Sequence, residues 1–253
     1  MIRWFEHTRV YVPSKEVGPC SLGCRYEEVQ FQSLDRTPLH GWYFPALPNA
    51  QWANYAILLL HGNAGNVGDR LAFYQAWLEL GTQVFAFDYR GFGRSGGKAS
   101  EEGTYLDGQA AFRWLANRSS PHIIALGKSL GGGIASELAL REKIDALILQ
   151  STFTSIPDVG SELFPWLPVR WLASIHYNTL SKLPRIHVPV LIAHSREDRT
   201  VRFSHAERNF AAANEPKMFL ELKGGHVETI EADRASYIAG LRKFFSTCLK
   251  AHV

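Results

Sequence analysis

Gly127-Lys128-Ser129-Leu130-Gly131 follows directly on the apolar run Ile123-Ile124-Ala125-Leu126 and leads into the helix-like stretch 132–140. Glycines two places before and two places after a serine, at a strand-to-helix junction, fit a turn too tight for bulky neighbours. Such a turn holds the hydroxyl out at the top of a sheet and aims the N-terminus of the next helix at it. Ser129 is therefore the candidate nucleophile. Gly-x-Ser-x-Gly also arises by chance, and the competing reading is a structural serine in a turn. The strand before and the helix after decide between them.

Working outward, the same alternation runs along most of the chain. Residues 28–33 and 39–44 alternate like strands around Asp35-Arg36-Thr37-Pro38, which predicts a hairpin. Continuous apolar runs follow at 55–60, 83–87, 123–126, 146–149, 190–193 and 218–222, with helical patterns at 71–80, 104–116 and 232–245. Apolar runs of this kind alternating with helices predict an α/β fold whose central sheet is mostly parallel and covered by helices on both faces. A single domain over residues 1–253 is expected, with one exception to the alternation at 152–184. That aromatic, proline-punctuated stretch follows a strand end, where open α/β sheets bind ligands, and is read as a small cap insertion. Residues 1–26 have no assignable pattern.

The bulk properties exclude more than they specify. Hydrophobic residues make up 46% and charged residues 20%, which is enough for a core. A net charge of +3 with scattered Lys and Arg does not argue for nucleic acid or an anionic membrane as partner. Cys20, Cys24 and Cys248 do not form a disulfide framework and read as free thiols. No signal-peptide h-region and no apolar stretch of about 20 residues is present. A soluble, cytoplasmic protein is expected, with an anchor upstream of this sequence left open.

A serine hydroxyl is a poor nucleophile and needs a base, which in turn needs an orienting acid. At a turn of this kind the chain order is serine, acid, histidine, each on a loop after a strand. The strand at 190–193 is followed by His194-Ser195-Arg196-Glu197-Asp198, and the strand at 218–222 by Lys223-Gly224-Gly225-His226. His226 is the only histidine in the right order and context. Asp198 is preferred as the acid, with Glu197 as its rival and pairing to Arg196 or Arg199 as its bland alternative. His194 is read as structural, and His187, His205 and His252 as surface residues. Two backbone N–H groups must hold the oxyanion. Leu130 supplies one, and Asn63, in the loop His61-Gly62-Asn63-Ala64-Gly65-Asn66, is the choice for the second; His61 reads as fixing that loop.

With these parts assembled, the chain resembles the α/β-hydrolase superfamily from about Glu28 onward. The loop at 61–66, the run Asp88-Tyr89-Arg90-Gly91-Phe92-Gly93-Arg94-Ser95, the serine motif and Ser151-Thr152-Phe153-Thr154-Ser155-Ile156-Pro157 are similar to the Bem46-like branch. So are Leu163-Phe164-Pro165 and Leu167-Pro168-Val169-Arg170. That branch is related to the mammalian abhydrolase-domain proteins 13 and 17. The resemblance implies Ser129, Asp198 and His226 as a triad. It favours Asp198 because the family's acid stands three residues before a valine, here Val201. Asp88 and Arg90 are implied to fix the loop beside the site. His194-Ser195 departs from the family's His-Gly, and Arg202 from its proline. The cysteine-rich N-terminal segment of relatives that act on palmitoylated partners is lacking, so that role is not carried over.

The chemistry expected is acyl transfer to water through an acyl-enzyme, requiring no metal and no cofactor. The substrate is expected to be a small molecule or acyl compound, an ester or a thioester. Phe153, Ile156, Phe164, Trp166 and Trp171 are candidates for an apolar pocket, each with simple packing as its rival reading. Lys128 is expected to point away from the site. Two alternatives stand: a serine peptidase with the same triad, and a non-catalytic ligand-binding protein, which the complete set of parts disfavours.

Overall fold

The computed structural model describes residues 2–118 and 122–249. Its helices are α1 (Ile2–Val10), α2 (Leu71–Leu80), α3 (Glu101–Ala116), α4 (Leu130–Arg141), α5 (Ile156–Leu163), α6 (Val169–Leu172), α7 (Thr179–Lys182), α8 (Phe203–Ala212), α9 (Thr229–Ala232) and α10 (Arg234–Cys248). Its strands are β1 (Val12–Pro13), β2 (Glu27–Gln32), β3 (Pro38–Phe44), β4 (Tyr55–Leu60), β5 (Ala64–Gly65), β6 (Gln83–Asp88), β7 (His122–Lys128), β8 (Ala146–Gln150), β9 (Val190–Ser195) and β10 (Lys217–Leu222). Eight strands form the main sheet in the order β10-β9-β8-β7-β4-β6-β3-β2. The β2–β3 hairpin joins it antiparallel through β3 and β6, and the other pairings are parallel.

The expected architecture is therefore present: a mostly parallel sheet with helices on both faces. Its physical basis is visible in β4, which is buried at every position. Ala56, Leu58 and Leu60 point into a core shared with Phe112 and Leu115 of α3 and Ile134 of α4. Tyr55, Ile57 and Leu59 point into the opposite core, with Tyr74 and Trp77 of α2 and Leu241 and Phe244 of α10. Two buried faces require apolar residues at both parities of the strand, which is why the run is continuous.

Several boundaries differ from the sequence expectation. Helix α3 begins at Glu101, three residues early, because the Ser100 hydroxyl accepts the Gly103 N–H and Glu101 and Glu102 occupy the first turn. The helix expected at 232–245 starts two residues later, as α10 at Arg234, where the Asp233 side chain accepts the Ser236 N–H, and the short α9 precedes it. Residues 2–10, unassigned from sequence, form α1. Among the described residues no helix is long and apolar enough to cross a membrane.

Close approach of α4 to the sheet depends on glycine. A Cβ at Gly131 would lie 1.9 Å from the Leu60 carbonyl oxygen, and one at Gly132 would lie 2.1 Å from the Thr152 hydroxyl oxygen. Gly131→Ala is expected to cost about 3 kcal/mol or more by forcing backbone apart. At Gly62 the nearest atom would be at 3.6 Å, an ordinary contact. Gly62→Ala is therefore expected to be nearly neutral in the same urea-unfolding measurement; equal costs would remove the role assigned to the contact with Leu60.

Candidate active site

Strand β7 ends at Lys128 and α4 begins at Leu130, leaving Ser129 alone in the turn with φ 51° and ψ −115°. A non-glycine residue at positive φ is strained, and strain of this kind persists where the surroundings over-determine it. Here the Ser129 N–H donates to the Gln150 carbonyl at 2.9 Å, and a Cβ at Gly127 would lie 2.4 Å from the Gly131 oxygen. The turn is thus held from the neighbouring strand and from the helix it launches.

Three residues far apart in sequence meet there. Ser129 Oγ lies 3.0 Å from His226 Nε2, and His226 Nδ1 lies 2.7 Å from Asp198 Oδ2. A carboxylate only accepts, so Nδ1 carries the proton and Nε2 is left to accept from the serine hydroxyl. The other oxygen of Asp198 accepts the N–H groups of Thr200 and Val201, both at 2.9 Å. Burial works to raise the Asp198 pKa, but the hydrogen bond and charge of His226, with the Val201 N–H, outweigh it and hold the carboxyl below its ordinary value. Glu197 is exposed and has no bond to His226; its N–H donates to the Ser195 hydroxyl. His194 is buried, pushed toward its neutral form by that burial, and donates from Nε2 to the Val201 carbonyl at 2.9 Å, supporting the acid loop.

Leu130 is the first residue of α4, so its N–H has no intrahelical acceptor. Asn63 stands across from it, and the two line one cavity together with Ser129. The Asn63 peptide is fixed from an unexpected direction: its carbonyl accepts the Val12 N–H at 2.8 Å, and β1 pairs parallel with β5. Asn66 adds bonds to the Ser14 and Glu16 carbonyls and caps the turn that follows. His61 donates from Nδ1 to the Gly62 carbonyl at 2.7 Å, and burial, with the Arg70 charge, pushes its pKa down to about 4. It is a neutral loop support. Asp88 accepts the Val67 N–H, while Arg90 ties Asp107 of α3 to Ser33 and Asp35 of the hairpin turn.

The cavity has a volume of about 510 Å³. Phe153, Ile156 and Phe164 are on its wall, joined by Phe5 and Val10 of α1, which the sequence did not single out. Trp166 and Trp171 are not on it; they are 74% and 91% exposed and project outside. The expectation that these two line the pocket is corrected, because the short helix α6 and the turn before it turn these rings outward. Helix α1 is held in place by Glu6, which accepts the N–H groups of Ser174 and Ile175 at 3.0 Å each. Among the described residues no group of three His, Cys, Asp or Glu is placed to hold a metal ion.

Other sequence readings also change. His205 is buried, not on the surface: its Nδ1 accepts the Thr154 N–H at 3.1 Å and its Nε2 faces Glu162 at 3.3 Å, joining α8 to α5. His187 is exposed, and His252 lies outside the described residues. Lys128 points away from the cavity, yet it is buried and donates from Nζ to the His226 carbonyl at 3.0 Å. Gln150 is a second missed support. Its side chain donates to the Thr229 hydroxyl and accepts from Tyr237, fixing the segment just after His226.

A strained serine turn at the end of a strand in a mostly parallel sheet, with a histidine and an acid aligned on it, is the architecture of an α/β hydrolase. Residues 52–180 match the family model described as "Serine aminopeptidase, S33". The chain is 34% identical to uncharacterized protein Rv2307c of Mycobacterium tuberculosis, over 97% of this chain and 89% of that protein. It is 31% identical to alpha/beta hydrolase domain-containing protein WAV2 of Arabidopsis thaliana, over 89% and 82%. Among solved structures, the Pyrococcus furiosus esterase Pf2001 superposes with a TM-score of 0.77 at 22% identity, covering 94% of this chain and 100% of that one. The chain belongs to the α/β-hydrolase superfamily, and within it to the family that this model describes.

Lys128 provides a test of how dry the underside of the site is. Burial, with the Arg70 charge, lowers its pKa from 10.5 to about 8. Between those values the unfolded chain holds a proton that the folded chain has released, so this residue's contribution to stability rises with pH across the window. The unfolding free energy of wild type minus that of Lys128→Met is expected to increase from pH 8 to pH 10.5, measured by urea denaturation. A difference independent of pH would mean that the amine is solvated.

Proposed function

We propose that this chain is a serine hydrolase that cleaves esters or thioesters of apolar acyl groups, with Ser129 as nucleophile, His226 as base and Asp198 as its orienting acid. The observation that carries the reading is the Ser129–His226–Asp198 hydrogen-bonded line opening on a cavity walled by apolar side chains. The hydroxyl attacks the acyl carbonyl while His226 Nε2 takes its proton. The N–H groups of Leu130 and Asn63 stabilise the oxyanion. His226 then protonates the leaving alkoxide or thiolate, and water enters by the same path to release the acid. Asp198 keeps the imidazole in the required tautomer and stabilises the imidazolium that forms. Residues 152–184 act as the cap, and α1 completes the acyl wall.

The family model's description raises aminopeptidase activity as a second reading. An α-ammonium group needs a free carboxylate beside the nucleophile. Among the described residues Glu6 is the single acid on the cavity wall, and its carboxylate is already occupied by the Ser174 and Ile175 N–H groups. Ester chemistry is the better fit.

Fluorophosphonate labelling read by intact mass is expected to give a single adduct that Ser129→Ala abolishes. Ser129→Ala and His226→Ala are each expected to lower kcat by about four orders of magnitude. Across p-nitrophenyl esters from acetate to palmitate, kcat/KM is expected to rise with chain length until the cavity is filled. A flat profile would contradict the acyl wall, and amidase activity above esterase activity would favour the peptidase.

A further inference from the structure

Seven of the eleven exposed large apolar side chains among the described residues sit on only two segments: Trp4 and Phe5 on α1, and Leu163, Trp166, Leu167, Trp171 and Leu172 in the insertion. These are the segments that frame the cavity mouth. Phe5, Leu163, Leu167 and Leu172 are at once on its wall and more than 40% exposed, so they form its rim. Ring contacts join α1 to the insertion, with Phe5 6.4 Å from Phe164 and Phe164 5.9 Å from Trp166. An exposed apolar patch of this kind marks a contact surface.

We propose that this rim is a docking surface for a phospholipid bilayer bearing anionic headgroups, from which an apolar substrate enters the cavity directly. The charges around it favour this occupant. The acidic groups of the rim are engaged: Glu6 by the Ser174 and Ile175 N–H groups, Asp158 by Arg170 and Arg208, Glu162 by Arg202 and His205. Arg3, Arg9 and Arg199 have no carboxylate partner among the described residues, and Arg9 lies 5.1 Å over the Phe5 ring. Arg9 and Arg199 line the cavity itself. A two-fold pairing of this surface with a second copy would set unpaired arginines against their own like charges. A lipid surface supplies phosphates to them and an interfacial layer in which tryptophan, apolar with one N–H donor, is at its most stable. The net charge of +3 does not by itself call for such a surface. What matters is that Arg9 and Arg199 line the cavity whose rim carries the exposed Phe5, Leu163, Leu167 and Leu172.

The direct delivery of substrate rests on the acyl-hydrolase reading, but docking is measured without catalysis. Ser129→Ala protein is mixed with unilamellar vesicles of phosphatidylcholine alone or with phosphatidylglycerol added, and the pelleted fraction is measured. Binding to the anionic vesicles, weakened by salt and weaker on phosphatidylcholine, is the expected result. Trp4→Ser/Trp166→Ser/Trp171→Ser, exposed positions outside the cavity wall, is expected to bind about tenfold more weakly or worse. It should keep its melting temperature and, in the Ser129 background, its hydrolysis of soluble p-nitrophenyl acetate. Arg3→Gln/Arg9→Gln/Arg199→Gln is expected to erase the preference for anionic vesicles. No pelleting, or pelleting that the tryptophan substitutions leave unchanged, overturns the proposal. So does a dimer in light scattering that the same substitutions dissolve while vesicles are ignored. An inert wild type on p-nitrophenyl acetate would sink the hydrolase reading and leave the docking result standing.

Discussion

The site depends on how near the first turn of α4 comes to strand β4. With no side chain at Gly131, the helix backbone settles against the Leu60 carbonyl, and Gly127 allows the strand to turn straight into it. Ser129 has no room to relax out of positive φ, so its hydroxyl stays raised above the sheet edge. The same approach brings the loop after β4 alongside: a Cβ on Gly62 would lie 3.6 Å from the Ser129 Cβ, and Asn63 is one residue further. Candidate nucleophile and candidate oxyanion donors are therefore set by one backbone contact. The β8 neighbour adds the Gln150 carbonyl, which accepts the serine N–H, and β9 and β10, the next strands of the sheet, lead into the loops that carry Asp198 and His226. Parallel strands in this order put all of these groups on one edge.

Around that contact lies a layer of supports that act on loops instead of on the Ser129, His226 and Asp198 side chains. Lys128 and Gln150, from two adjacent strand ends, hold the segment carrying His226 by its carbonyl and by Thr229. The N-terminal segment holds the Asn63 carbonyl and the Asn66 side chain. A loop with few buried apolar contacts is otherwise the part of a protein that opens most easily. Directed hydrogen bonds from stiff elements limit that opening around the Ser129–His226–Asp198 line.

The readability of each part follows from the range of the forces that shape it. Strands buried on both faces announce themselves as continuous apolar runs, and the serine turn by its glycines, because both signals are local. Helix α1 gives no such signal. Its place is set by Glu6 reaching the insertion, His7 reaching the Ala99 carbonyl and Tyr11 reaching Tyr177, partners at least 92 residues away. In sequence His205 reads as one more polar residue of the surface, and only tertiary contact with Thr154 and Glu162 buries it. The start of α10 is readable, since Asp233 is a residue type that caps helix N-termini. Trp166 and Trp171 failed for a different reason. Composition marks them as apolar, but it cannot say which side of a cap a ring will face.

That failure bears on what the insertion is for. A segment serving only to close the sheet would turn its largest rings inward, since burying a large aromatic side chain contributes about 2 kcal/mol or more. Phe153 does so, at 3% exposure, while Trp171 gives up that gain at 91%. Tyr177 and Lys182, near the end of the insertion, are buried against α4 and α3, so this segment is well anchored where it meets the core. Its exposed rings therefore cannot be put down to poor packing of the whole. They sit on the outer half alone, next to a cavity that Ser129 lines. Both halves of the segment are thus explained by one division: the inner half builds the wall against the sheet, and the outer half leaves its apolar surface to whatever the mouth meets.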